Sequence, residues 1–335
     1  MSIHDTQSVR AAGAVRRAAE VCEAIRRELV REDTLEKKDR SPVTLADFAS
    51  QAIVSQWLLE AGADEPLVAE EDSRALRDPA QEGLRAQLVR KVGWALGATC
   101  DERQVLDWID RGAAEPPRAG AFWTLDPIDG TKGFLRNDQY AVALALIEDG
   151  RPAVAALACP NLTLPEVSGD GTLVLAVRGQ GTRIHALNGG LPHGVNGRVT
   201  GQGDAARLRF TESVESGHSR QDDAGRIAAR VGIEASPLRI DSQAKYAVLA
   251  GGEASVYLRL PTRRDYREKI WDHAAGCLAV EEAGGRVTDV LGRPLDFSHG
   301  RTLAENRGVV ASHGPLHDAL LEAIRELGAD AEPAE

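Results

Sequence analysis

Cysteine is scarce in this sequence. Its four copies, Cys22, Cys100, Cys159 and Cys277, are scattered and form no Cys-x-x-Cys pair. That excludes a zinc-ribbon pattern and a disulfide framework, and it fits buried thiols in a reducing cytoplasm. No apolar run approaches the ~20 residues a membrane-spanning helix needs. The opening stretch MSIHDTQSVRAAGAVRRAAEVC lacks the apolar centre of a signal peptide, so a cytoplasmic location is expected. Positive charge is also short, with 40 Lys and Arg against 51 Asp and Glu and a net charge of −11. That balance argues against a nucleic-acid backbone or an anionic membrane as partner. An anionic small molecule stays possible, because divalent cations can invert the sign of a local site.

What is present reads as an ordinary globular chain, 43% hydrophobic and 27% charged over 335 residues. The length predicts two domains, placed at about 1–200 and 201–335, with the glycine-rich stretch 188–204 as the connection. Apolar positions three or four apart from Val9 to Leu29 predict an amphipathic helix over 7–31. After Pro42, Thr44 is a cap candidate for a second helix that stops at Gly62. Leu67–Ala69 reads as a short strand, and 73–118 as polar helix without chemistry. YAVALALI and PAVAALAC form a predicted hairpin of buried strands, followed by a second pair over 172–187. Beyond residue 205 strands and helices alternate, which predicts a layered α/β half after a more antiparallel one.

Residues 122–136 read FWTLDPIDGTKGFLR. An apolar strand ends at Asp126, and Asp129, Gly130 and Thr131 follow a proline turn. If Thr131 opens a helical turn, the Gly130 and Thr131 N–H groups make an anion cradle. Two carboxylates beside such a cradle suit Mg²⁺, which takes a few carboxylates together with phosphate oxygens. The same residues also suit a capped turn. An Asp-x-Asp-Gly-Thr phospho-aspartate loop is excluded, since Pro127 and Ile128 separate the two carboxylates.

Other acidic positions carry the same ambiguity. Glu70, Glu71 and Asp72 follow a strand and also read as a solvated loop. Asp272 stands where a helix begins, as an N-cap would. Asp47 completes a Thr44–Asp47 capping box. His273 is a lone histidine without an assigned role. The plain readings do not account for four such clusters in one chain, each at a strand end or helix start.

The ordered blocks SPVTLADFASQAIV, VAEED, FWTLDPIDGTKGFLR, DSQAKYAVLAGGEASVYLRLP and KIWDHAAGCLAVEEAGG resemble the lithium-sensitive, Mg²⁺-dependent inositol-monophosphatase-like superfamily. More narrowly they resemble its 3′(2′),5′-bisphosphate nucleotidases. The resemblance covers about residues 36–312, with TKGFLR and the Ser242–Arg259 block as the narrowing features. It implies a two-domain α+β and α/β protein, a layered αβαβα sandwich of the inositol monophosphatase and fructose-1,6-bisphosphatase type. It implies that Glu70, Asp126 and the Ile128 carbonyl hold one Mg²⁺, and Asp126, Asp129 and Asp272 a second. Asp47 and the Thr131 hydroxyl would activate water for in-line attack on phosphorus. Gly130, Thr131, His218, Ser242, Lys245 and Arg259 would bind a small nucleotide bisphosphate, in a protein expected to be a monomer.

The implied reaction is loss of the 3′-phosphate from adenosine 3′,5′-bisphosphate. Without the resemblance, Lys245 reads as a surface lysine and Arg259 as a strand-edge charge. An inositol-phosphate or sugar-bisphosphate hydrolase would use the same metal loop, and a non-catalytic nucleotide sensor would lack Asp47 or Thr131. One departure stands out, because the residue before Glu70 is usually glycine in the superfamily and here is Ala69. An extended backbone would accept alanine, whereas a positive φ would strain it.

Overall fold

The computed structural model describes residues 3–32, 41–189, 194–198, 208–214 and 220–331. Helix α1 (Ile3–Glu32) packs on α2 (Ser41–Glu60), and the turn that follows α2 holds Gly62, whose φ of +69° only glycine adopts without cost. Strands β1 (Leu67–Ala69), β2 (Ala121–Asp129), β3 (Ala141–Glu148), β4 (Arg151–Cys159), β5 (Thr172–Val177), β6 (Gly181–Ala186) and β7 (Val195–Asn196) form one sheet in sequential order. Only β1 and β2 pair in parallel within it. Helices α3 (Glu82–Leu96) and α4 (Glu102–Asp110) bridge β1 and β2, and α5 (Thr131–Arg136) follows β2.

The second sheet holds β8 (Phe210–Glu212), β9 (Leu238–Arg239), β10 (Val256–Arg259), β11 (Gly285–Thr288) and β12 (Val309–His313) in the order β11-β12-β10-β8-β9. Its helices are α6 (Gln221–Arg230), α7 (Ala244–Ala250), α8 (Ala274–Glu282) and α9 (Gly314–Glu326).

Strand periodicity explains the layering. On β3, Val142, Leu144 and Leu146 face α1 and α2, while Ala141, Ala143, Ala145 and Ile147 face the other core with α7 and α8. Alanines on that second face let α8 approach closely. Helices α7 and α8 thus lie between the sheets, with α6 and α9 covering the outer face of the second. The result is the expected αβαβα sandwich, with its first sheet almost wholly antiparallel.

Several local expectations change. Helix α2 begins at Ser41, so Thr44 lies inside the helix and not at its cap. Strand β11 opens at Gly285 directly after α8 and pairs antiparallel with β12. Residues 195–196 add to the first sheet, although the stretch reads as a connection. Ala69 sits in the β1 ladder with extended backbone, so the departure from glycine costs nothing. Cys22, Cys159 and Cys277 are buried, and the four thiols are free. No helix among the described residues is long and apolar enough to cross a membrane.

Candidate active site

Positions three apart on a regular strand point to opposite faces. Asp126 and Asp129 escape that rule through an extra residue: Asp126 stands opposite Ala143 and Asp129 opposite Ala141, a bulge that returns both carboxylates to one cleft. Pro127 is tolerated at the bulge because no ladder donor is needed there. Its carbonyl accepts from Ser50 on α2 at 2.7 Å, one turn beyond Asp47, so the helix pins the loop. Gly130 has φ +88°, and a Cβ on it would lie 2.8 Å from that of Ser242. Thr131 opens α5, and its hydroxyl donates to the Ile128 carbonyl at 3.3 Å, not to Asp47.

Glu70 reaches the cleft from the end of β1. Its neighbours divide the VAEED cluster, since Asp72 pairs with Arg74, while Glu71 has its main chain bracketed by Gln51 and its carboxyl close enough to raise both Asp47 and Glu70. Gln51 donates to the Glu71 carbonyl at 2.6 Å and accepts from its N–H at 3.1 Å. Asp272 comes from the segment before α8. His273, not Asp272, occupies the N-cap place, so the capping explanation does not hold for Asp272.

Glu70, Asp126, Ile128, Asp129, Gly130, Thr131, Ser242, Lys245, Arg259 and Asp272 all line one cleft of about 320 Å³. Asp47 lies behind it on α2, 6% exposed. His218 lies outside the described residues.

Burial, followed by mutual repulsion, raises these carboxyls. Asp126 is pushed well up by desolvation and then by Glu70, Asp129, Asp272 and Asp47. Asp272 is raised by desolvation and then Asp129, and Asp47 by desolvation and then Glu71 and Glu70. Glu70 is exposed as a residue, but its carboxyl is walled by protein and reaches about 7, with Glu71 and Asp129 adding to desolvation. Asp126 Oδ1 is buried without a hydrogen-bond partner. A converging set of acids with an orphaned oxygen fits a divalent cation, which would supply the missing charge and contact.

Cations line the same cleft. Lys245 is 5% exposed, donates to the Ile240 carbonyl at 3.3 Å and lies 5.4 Å from the Tyr257 ring centre. Burial lowers it to about 8, with Asp129 pulling up and Arg259 down. Arg259 pairs with the buried Glu268 at 2.7 Å. Ser242 holds φ +64°, rare for serine, and its hydroxyl accepts from Ala244 N–H at 3.1 Å.

A family model described as the inositol monophosphatase family matches residues 4–329. The chain belongs to that family. It is 43% identical over 334 residues to a 3′(2′),5′-bisphosphate nucleotidase of Schizosaccharomyces pombe, covering 95% of each chain. A protein of the same name from Oryza sativa is 42% identical over 331 residues, covering 93% of this chain and 92% of that one. Among solved structures, CysQ from Bacteroides thetaiotaomicron, a bacterial member of the family, aligns with a TM-score of 0.60 at 18% identity, covering 93% of this chain and 98% of that one. The last likeness bears on the fold alone.

In this family member, two features of the site escape the sequence reading. Gln243 donates its backbone N–H to Asp129 at 2.6 Å; its amide donates to the Trp271 carbonyl at 2.9 Å and accepts from Gly276 N–H at 3.0 Å. It therefore joins the Asp126–Asp129 loop to the segment carrying Asp272. The second feature is a buried chain in which Tyr246 O–H donates to His273 Nδ1 at 2.7 Å and His273 Nε2–H donates to Glu268 at 3.2 Å. A carboxylate only accepts here, which fixes the tautomer. Glu268, Asp272 and His273 offer ligand atoms within 4.8 Å of one another. Arg259 and Tyr246 already engage Glu268 and His273, leaving Asp272 as the carboxylate of that trio free for a cation.

Burial alone would raise Glu268, but Arg259 and His273 outweigh it and hold the carboxyl down at about 2. Glu268→Gln is therefore expected to cost about 3 kcal/mol at pH 7 by leaving Arg259 buried without its counter-charge. Urea unfolding measures the loss. The depressed value means the stabilisation is complete above the unfolded pKa of about 4.3 and fades as pH falls toward 2. A difference between variant and wild type that persisted unchanged at pH 2 would contradict the ion pair.

Proposed function

We propose that this chain is a Mg²⁺-dependent 3′(2′),5′-bisphosphate nucleotidase. It converts adenosine 3′,5′-bisphosphate and water to AMP and phosphate, and accepts the 2′,5′ isomer and the sulfated 3′-phosphonucleotide as well. The observation that carries the reading is a single cleft lined both by the acids and by the cations Lys245 and Arg259. A bisphosphate needs both sets of groups, one for the phosphate that is cleaved and one for the phosphate that is kept. The names of the relatives support the same substrate class.

Glu70, Asp126 and the Ile128 carbonyl would hold one Mg²⁺, and Asp126, Asp129 and Asp272 another. When bound, such ions neutralise phosphate charge and make water more acidic. The protein's own groups do the rest. Gly130 and Thr131 present backbone N–H groups to the cleaved phosphate at the start of α5. Asp47 is a stronger base than an exposed aspartate, since burial and the Glu71 and Glu70 charges raise it. It takes the proton of the attacking water, and the Thr131 hydroxyl, which donates to the Ile128 carbonyl here, would assist once turned to that water. Lys245 and Arg259 engage the retained 5′-phosphate, Arg259 through a planar fork held by Glu268. Lithium sensitivity belongs to the same reading of the acids.

Phosphate release from adenosine 3′,5′-bisphosphate, inositol 1-phosphate and fructose 1,6-bisphosphate, each with Mg²⁺ and with EDTA, tests this. The nucleotide is expected to be preferred at least ~10-fold in kcat/KM and to be inert in EDTA, because Lys245 and Arg259 contribute only with a second phosphate. Preference for inositol 1-phosphate or fructose 1,6-bisphosphate would keep the role of the acids and overturn the nucleotide assignment.

A further inference from the structure

Arg301 lies outside the cleft, on the loop between β11 and β12, yet it touches both segments that deliver acids from different layers. Its guanidinium donates to the carbonyl of Ala69, the residue before Glu70, and to the Gly112 and Ala114 carbonyls at 3.3 and 3.2 Å. The same group stacks on Trp271, the residue before Asp272, 4.8 Å from the ring centre. Its own carbonyl accepts from Ile270 N–H at 3.2 Å, and two residues on Leu303 N–H donates to the Glu268 carbonyl at 2.8 Å. The main chain of this loop therefore fastens the segment that leads into Asp272, while the side chain reaches across to the end of β1.

We propose that Arg301 is a positioning residue for the metal site, setting the spacing between Glu70 and Asp272. The inference rests on the cation-binding reading of those acids. Like charges on Glu70 and Asp272 push their segments apart, and β1 and the entry to α8 belong to different layers. A strap between them holds the acids at the separation a cation needs. Lysine cannot replace it, because one ammonium cannot serve three carbonyls and lie flat on an indole. Outer partners that orient ligands in this way carry ~10–100-fold in metal affinity.

Calorimetric titration with Mg²⁺ alone, without substrate, tests the strap on wild type, Arg301→Ala and Arg301→Lys, with urea unfolding of each. Arg301→Lys keeps the stem and the charge, so it reports even if Arg301→Ala fails to fold. The expected result is Mg²⁺ binding weakened about 10-fold or more in every folded variant, including one whose unfolding midpoint is near that of the wild type. Wild-type Mg²⁺ affinity in folded variants, with only a lowered unfolding midpoint, would show a purely structural residue and overturn the proposal. Absence of saturable Mg²⁺ binding by the wild type would instead overturn the cation reading itself, and the strap with it.

Discussion

Asp126→Asn is expected to lower Mg²⁺-dependent phosphate release on the order of 1,000-fold or more, since a direct ligand carries more than the ~10–100-fold of an outer partner. The same change should make the metal-free protein more stable. Asp126 is 3% exposed and faces Glu70, Asp129, Asp272 and Asp47, and desolvation followed by these charges raises its carboxyl well above the ordinary range. A raised folded-state value means the metal-free fold loses stability as pH climbs above the unfolded value of about 3.9. Asparagine keeps the shape of the protonated acid and removes that loss. Melting in EDTA at pH 7.5 should therefore rise by about 1–2 °C for each kcal/mol of repulsion relieved. Near pH 3 the two proteins should melt together, because both then carry a neutral group. Added Mg²⁺ should stabilise the wild type strongly and the variant little. Full activity in the variant would remove Asp126 from the metal site, and an unchanged melt in EDTA would remove the repulsion argument.

The opposite signs of those two effects follow from what the acids do in the fold. They are not placed for stability; burial and crowding work against the metal-free protein, and the surrounding contacts hold them there. Ser50, Gln51, Gln243 and Arg301 each secure a main-chain segment beside a proposed ligand, and they come from α2, α7's approach and the β11–β12 loop.

This division also explains what the sequence reveals. The acids were legible because each sits in a short ordered motif, with DPIDGT at a strand end and WDHAAG at a helix start. The α/β alternation was legible because apolar periodicity is local. Their supports were not. Arg301 reaches Ala69 across 232 positions, and Glu268 meets Arg259 within a loop whose composition, PTRRDYREK, reads as solvated charge. Gln243 stands inside the quoted DSQAKY block, but its three hydrogen bonds are defined only once α7 lies beside β2 and α8. Lys245 illustrates the limit from the residue side. A lysine on a seven-residue helix reads as a surface charge until both faces of that helix are covered by sheets, which makes all of α7 buried.

That burial gives Lys245 the second large expected effect. Lys245→Met keeps the side-chain volume and removes the charge, so the fold should tolerate it. The loss should fall on the phosphate that is kept. Removing a buried charged partner costs about 2–3 kcal/mol, or roughly 30- to 150-fold, in kcat/KM for adenosine 3′,5′-bisphosphate. A monophosphate such as inositol 1-phosphate has no second phosphate for Lys245 and should change only a few-fold. The pH profile separates this role from simple packing. Burial lowers Lys245 to about 8, so in the free protein the ammonium is present below that value and is lost above it. The wild-type KM for the bisphosphate should accordingly rise between pH 7 and 9, while the Lys245→Met profile stays flat over the same range. Equal losses on bisphosphate and monophosphate, or a KM rise that survives in the variant, would assign the pH dependence to another group and leave Lys245 as packing between the two sheets.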